Sequence, residues 1–152
     1  MTIEQEIQFA AKAAFVAYLE DVDFGESAPI VHAVKLDNDE ESDDDAEGYP
    51  CIVIDTSTPV PIGNKSAIAN VPLYIRCLSY LPNDRKREAF SLICEAVYRV
   101  MQDTEEWETY QSETPPVDIS AIMIESSEEP AIAGMVLEQR TVCTVAACIA
   151  ST

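Results

Sequence analysis

The stretch LDNDEESDDDAEGY, residues 36 to 49, places eight carboxylates in the eleven positions from Asp37 to Glu47, with no basic residue among them. Carboxylate oxygens are what hard cations take as ligands, so calcium binding is the first chemistry to test. A calcium loop follows the template D-x-[DN]-x-[DN]-G-x5-E, with a glycine for the sharp turn and a bidentate glutamate at the last position. Counting from Asp37, the third and fifth positions are Asp39 and Glu41, but Ser42 stands where glycine is needed and Gly48 where glutamate is needed. Starting at Asp39 or Asp43 fits no better. Without those two residues the run reads as an acidic loop, 37–48, that like-charge repulsion keeps extended and solvated. A surface that imitates DNA would spread its acids over ordered structure at phosphate-like spacing, whereas these are bunched in one connection.

Nucleophilic and metal chemistry have little to work with. The five cysteines, Cys51, Cys77, Cys94, Cys143 and Cys148, form no C-x-x-C, and His32 is the only histidine. A zinc site needs paired close spacings and usually more histidine than this. Each cysteine falls within an apolar strand or helix pattern, which predicts packed free thiols in a reducing compartment. Catalysis by a Cys–His pair would need His32 beside one of them with an orienting Asn or Asp, and a lone strand histidine is more often structural. There is no G-x-S-x-G, no H-E-x-x-H and no glycine-rich phosphate loop, and four glycines cannot supply one. The sequence therefore predicts a protein that is not an enzyme, with no cofactor and no metal.

Charge narrows the partners. Against 28 acidic residues stand nine basic ones, for a net charge of −19. Gripping nucleic acid requires clustered Lys and Arg, and an anionic membrane surface selects for the same residues, so both are disfavoured. The opening MTIEQEIQFA carries acids where a signal peptide has its basic region, and no apolar run approaches spanning length. The expectation is a soluble chain made in a cytoplasm. With 152 residues, 47% of them hydrophobic, it can bury the core of one domain, 1–152.

The elements that would position any site follow from periodicity. Residues 2–20 read as a helix: Thr2 and Gln5 make a capping box, and Ile3, Ile7, Ala10, Ala14 and Tyr18 form a stripe broadened by Ala11, Phe15 and Leu19. Its alanines predict close packing on a sheet. Strands are expected at 29–36 and 51–55, paired as a hairpin around the acidic loop. Residues 56–70 form a Pro-rich arm, since Pro59, Pro61, Gly63 and Asn64 forbid a continuous element. The strand 71–80 alternates, with Val71, Leu73, Ile75 and Cys77 on one side and Tyr74, Arg76, Leu78 and Tyr80 on the other. A helix is expected over 84–103, capped by Asn83 or Asp84, then strands at 117–125 and 135–150. The last of these is apolar or small on both faces in its second half, which predicts a central strand covered by helices on one side and by more protein on the other. The class is α+β: an antiparallel or mixed sheet of about five strands with two helices packed on one face.

Two groups of residues are candidates for assembly. Arg85, Lys86 and Arg87 are three of the nine basic residues and fall in the expected first turn of the second helix, at the positive end of its dipole, where cations are mildly unfavourable. An acidic neighbour would make that placement worthwhile, and a second copy of a chain at −19 supplies one. With the outward Tyr74, Leu78 and Tyr80 they make a candidate subunit interface. In the arm, Val60, Ile62, Lys65 and Ile68 make a candidate assembly contact that orders on binding, being too apolar for a spacer.

VPLYIRCLSYLPNDRKREAFSLICEAVYRVM, followed late by RTVCTVAACIA, resembles the tail terminator proteins of long-tailed bacteriophages, small α+β proteins with a helix-flanked sheet. The resemblance covers roughly residues 65–150 and rests on element order and pattern; the acidic loop and the arm have no counterpart in it. It implies a homohexameric ring that caps the tail tube, ends its polymerisation, and joins it to a neck or connector protein, within the virion and after assembly in the host cytoplasm. DNA would pass through the lumen without being bound, which suits a strongly negative ring that repels phosphate. A neck or head-closure adaptor and an acidic DNA-mimic inhibitor are the alternatives.

Overall fold

The structure, a computed structural model, describes residues 2–25, 29–34, 48–61, 68–103, 107 and 117–149. Helix α1 (Ile3–Glu20) begins at the predicted capping box: Gln5 N–H donates to the Thr2 hydroxyl and Thr2 N–H to the Gln5 side-chain oxygen. Its stripe Ile7, Ala10, Ala11, Ala14, Phe15 and Leu19 is buried on the sheet. The side-chain amide of Gln8, also buried, donates to the carbonyls of Val34 and Ile54 at 2.7 and 2.8 Å. One glutamine thereby ties the helix to two adjacent strands.

Those strands, β1 (Ile30–Ala33) and β2 (Cys51–Thr56), correct the first expectation. They are parallel, with Ile30 opposite Cys51 and Ala33 opposite Ile54, and so are not a hairpin. A parallel pair needs a connection long enough to carry the chain back along the strand, and the 16 residues from 35 to 50 provide it. The acidic loop, residues 37–47, lies outside the described residues.

The Pro-rich arm is partly sheet. Strand β3 (Val60–Pro61) pairs with Asn70 and Ala69, and strand β4 runs Ile68–Tyr80, three residues longer at its start than the alternation indicated. A 3-10 turn over Leu81–Asn83 leads to α2 (Glu88–Met101), which starts later than 84. Asp84 explains the difference. Its carboxylate accepts from the N–H groups of Ala89 and Phe90 and from the Ser79 hydroxyl, capping the helix across an intervening loop instead of from the adjoining position. Arg87 occupies the residue before the helix in the left-handed region (φ 58°). Beyond the helix, Trp107 is fully buried and its indole N–H donates to the Val100 carbonyl at 3.0 Å.

Strands β5 (Val117–Ser127), β6 (Ala131–Ala133) and β7 (Val136–Ile149) complete a seven-stranded mixed sheet of order β1-β2-β4-β7-β5, with β3 also paired to β4 and β6 to β7. The α+β class is as expected; the two additional strands are three residues long or less. Gly134 (φ 61°) opens the tight turn from β6 to β7, where a left-handed backbone suits a residue without Cβ. Both helices cover one face, over Ile52, Ile54, Leu73, Ile75, Cys143 and Val145. The opposite face holds a smaller cluster of Cys51, Val53 and Leu78 with Val34, Tyr49 and Val136.

Candidate assembly surface

The predicted interface residues divide between positions that face outward and positions the chain covers itself. Tyr74 is 41% exposed on the helix-free face of β4, as its place in the alternation requires. Leu78 lies on the same face but is 5% exposed, enclosed by its small cluster, so it has little area left for a partner. Tyr80 is half-buried: its ring stacks on Tyr49 with centroids 6.2 Å apart, and its hydroxyl donates to the Met135 sulfur at 3.4 Å. Tyr49 follows the acidic loop in sequence, far from β4, and only the tertiary fold brings it over Leu78 and Tyr80. Of the three outward apolar side chains, Tyr74 alone stays open.

Arg85, Lys86 and Arg87 are all exposed, but they sit in the turn before α2 and not in its first turn, a correction that follows from the reach of Asp84. Among the described residues, no ion pair is present at any of the three. Nearby, the Leu81 N–H donates to the Met135 carbonyl, which brings the exposed side chain of Met135 next to the turn. Unpaired cations and an apolar tip therefore share one end of the sheet. In the arm, Val60 and Ile68 are exposed on paired strands, while Ile62 and Lys65 lie outside the described residues.

A second charged group could be placed only once the register was known. β4 and β7 set Arg76 directly opposite Arg140 on the helix-free face. Like charges in that position repel. Glu138 relieves them, its Oε1 accepting from the Nε of Arg76 at 3.0 Å and of Arg140 at 2.6 Å. Burial alone would raise the Glu138 pKa, but the hydrogen bonds from Arg76 and Arg140 outweigh it and hold the carboxyl below its ordinary range. A groove of about 310 Å³ borders the pair, lined by Tyr74, Arg76, Glu128, Arg140 and Val142 among others. The sequence put Arg76 on the outer side of its strand; what it lacked was the partner opposite.

The cysteines are free thiols, with Cys51, Cys77 and Cys143 buried and Cys94 and Cys148 half-buried. The hydrogen bond with Cys94 and burial push the Cys77 thiol well up, and burial, with a smaller contribution from Glu125, pushes Cys143 up to about 12. Thiols held protonated this firmly are poor nucleophiles. His32 is half-buried on the helix-free face of β1. Among the described residues, no three His, Cys, Asp or Glu side chains gather as a metal site requires, and no helix is long and apolar enough to cross a membrane. No protein-family model matches the sequence, and no curated protein matches it.

Proposed function

We propose that this chain is a structural virion protein of the tail terminator kind, a ring-forming subunit that caps the tail tube, ends its growth and joins it to the neck. The observation that carries the reading is the succession of a long strand, a cationic turn, an amphipathic helix and a late strand. These are β4, residues 84–87, α2 and β7, and β4 and β7 lie side by side in the sheet. This is the stretch on which the family resemblance rests. Two features support it physically. A ring repeats one heterologous contact, so each subunit needs two unlike patches. The exposed, unpaired Arg85, Lys86 and Arg87 supply a positive one on a chain whose remaining surface is overwhelmingly acidic. The net charge of −19 suits a lumen through which DNA slides without being held.

Native mass spectrometry and negative-stain imaging of the purified chain test the assembly, and addition to polymerising tail tubes tests the role. Six-fold rings that stop tubes at defined lengths support the proposal. Rings that ignore tube ends but bind the connector would assign the chain to the neck instead. A monomer that binds a nuclease through its acidic loop would replace the reading with DNA mimicry.

A further inference from the structure

We infer that the turn bearing Arg85, Lys86 and Arg87 on one copy docks at the groove between the C-terminal ends of α1 and α2 on the next copy, where its basic side chains meet Glu20 and Asp21. The inference rests on the ring reading above and names the second, acidic patch which that reading requires.

Two charge placements, each unfavourable within a single chain, motivate it. The positive end of a helix dipole lies at its N-terminus and the negative end at its C-terminus. Arg85, Lys86 and Arg87 precede the N-terminus of α2, the wrong end for cations. Asp84 and Glu88 flank them, but the Asp84 carboxylate is taken up by two helix N–H groups and the Ser79 hydroxyl. Three cations against two acids leave the turn net positive. Helix α1 shows the opposite fault at its other end. Its last turn holds no basic residue, it finishes on Glu20, and Asp21 is its C-cap. Both side chains are exposed, and neither carboxylate has a hydrogen-bond or ion-pair partner among the described residues. Each misplacement supplies what the other lacks.

A groove gives those acids a shape. It measures about 370 Å³ and lies where the two helices end, lined by Ala14, Ala17, Tyr18 and Val100 and by the charged Asp21, Arg99 and Asp103. Arg99 is answered within its own helix by Glu95, at 3.6 Å. Counting Glu95 and the adjacent Glu20, four carboxylates stand against that one guanidinium. Apolar walls suit the long stems of Lys and Arg, which bury their methylenes while the charged head reaches a carboxylate. Glu125, Glu128 and Glu129 are exposed as well, but they lie on the edge strand β5 and the loop after it, where no helix end disfavours them. The occupant is another copy, because geometry rules out the chain's own turn. Helix α2 has the turn at one end and the groove at the other, and its 14 residues hold them roughly 21 Å apart. Unlike patches at opposite ends of one helix make a head-to-tail contact, the kind that closes a ring.

Zero-length carbodiimide coupling of the assembled full chain, with labelled and unlabelled copies mixed, tests the contact. A mixed-mass crosslink between Lys86 and Glu20 or Asp21, read by mass spectrometry, is expected. Glu20→Lys with Asp21→Lys should raise the concentration at which assembly is half complete about tenfold. The thermal midpoint of the dilute variant should not fall, since cations suit the C-terminal end of a helix. Adding Arg85→Glu, Lys86→Glu and Arg87→Glu to that variant swaps both patches and should bring assembly back to within about threefold of wild type. Rings in which Lys86 couples elsewhere, normal assembly of the Glu20→Lys, Asp21→Lys variant, or a swapped chain that stays monomeric would each overturn this contact and leave the ring standing. A wild-type chain that stays monomeric would remove the ring reading as well.

Discussion

At the scale of single residues, Glu138 is the point where charge and fold are most tightly coupled, because one carboxylate separates two arginines that the strand register forces together. Its pKa is lower in the folded chain than the ordinary value of 4.5, so the folded state binds fewer protons there than the unfolded state. The associated stability is present in full above the unfolded pKa and is lost as pH falls through the folded one. Glu138→Gln should lower the thermal midpoint at neutral pH by about 2–4 °C, equivalent to roughly 1 kcal/mol in a chain this size. Melting curves of the two proteins should converge as pH falls below the lowered folded pKa of Glu138; a gap that persists in stronger acid would mean that the side chain acts by packing and not by charge. Asp84 is the second such residue, accepting from two backbone N–H groups and a hydroxyl. Asp84→Ala should cost about 1–2 kcal/mol by denaturant titration, whereas substituting Asn83 should cost little.

At the scale of elements, what the sequence reveals depends on how local the cause is. Helix α1 is legible because its stripe and its capping box are both short-range, and both are present in the structure. The beginning of α2 is less so, since Asp84 caps from several residues away through a left-handed Arg87, a geometry no spacing rule announces. β3 and β6 are too short to show a period. The exposure of Tyr74 could be read from alternation, but the covering of Leu78 and Tyr80 could not, because Tyr49 reaches them only through the tertiary fold. Strand direction is the clearest miss. Nothing within β1 or β2 distinguishes parallel from antiparallel pairing, yet the answer changes what the acidic connection must do. Replacing residues 39–47 with a Gly/Ser sequence of equal length should leave the thermal midpoint within about 2 °C, because solvated like charges contribute little favourable energy. Shortening the whole 35–50 connection to four residues should unfold the β1 edge, because a parallel return needs about a dozen. Equal stability of the two variants would contradict the pairing.

At the scale of the whole molecule, a chain with 28 acidic residues and nine basic ones can self-associate only where its cations are concentrated. Reversing Arg85, Lys86 and Arg87 to Glu should leave a folded monomer, because none of the three makes an ion pair among the described residues, while abolishing the ring closure and tail capping proposed above. Rim pairs of this kind contribute about 0–1 kcal/mol each, so high salt should weaken wild-type assembly only in part. Normal rings from the triple variant would return these side chains to solvent. The strand order carries a different consequence, one of timing during synthesis. β7 is the last strand in sequence, yet it lies between β4 and β5 and pairs along the full length of β4. Until it emerges from the ribosome, β4 is a 13-residue edge of unpaired amides and carbonyls with no native partner on that side. Folding must therefore wait for nearly the whole chain, and the long sequence separation of the β4–β7 contacts makes it slow. A chain stopped after Met135 should be insoluble or captured by chaperones even though both helices and the first six strands are already present, and adding residues 136–149 in trans as a peptide should recover soluble protein.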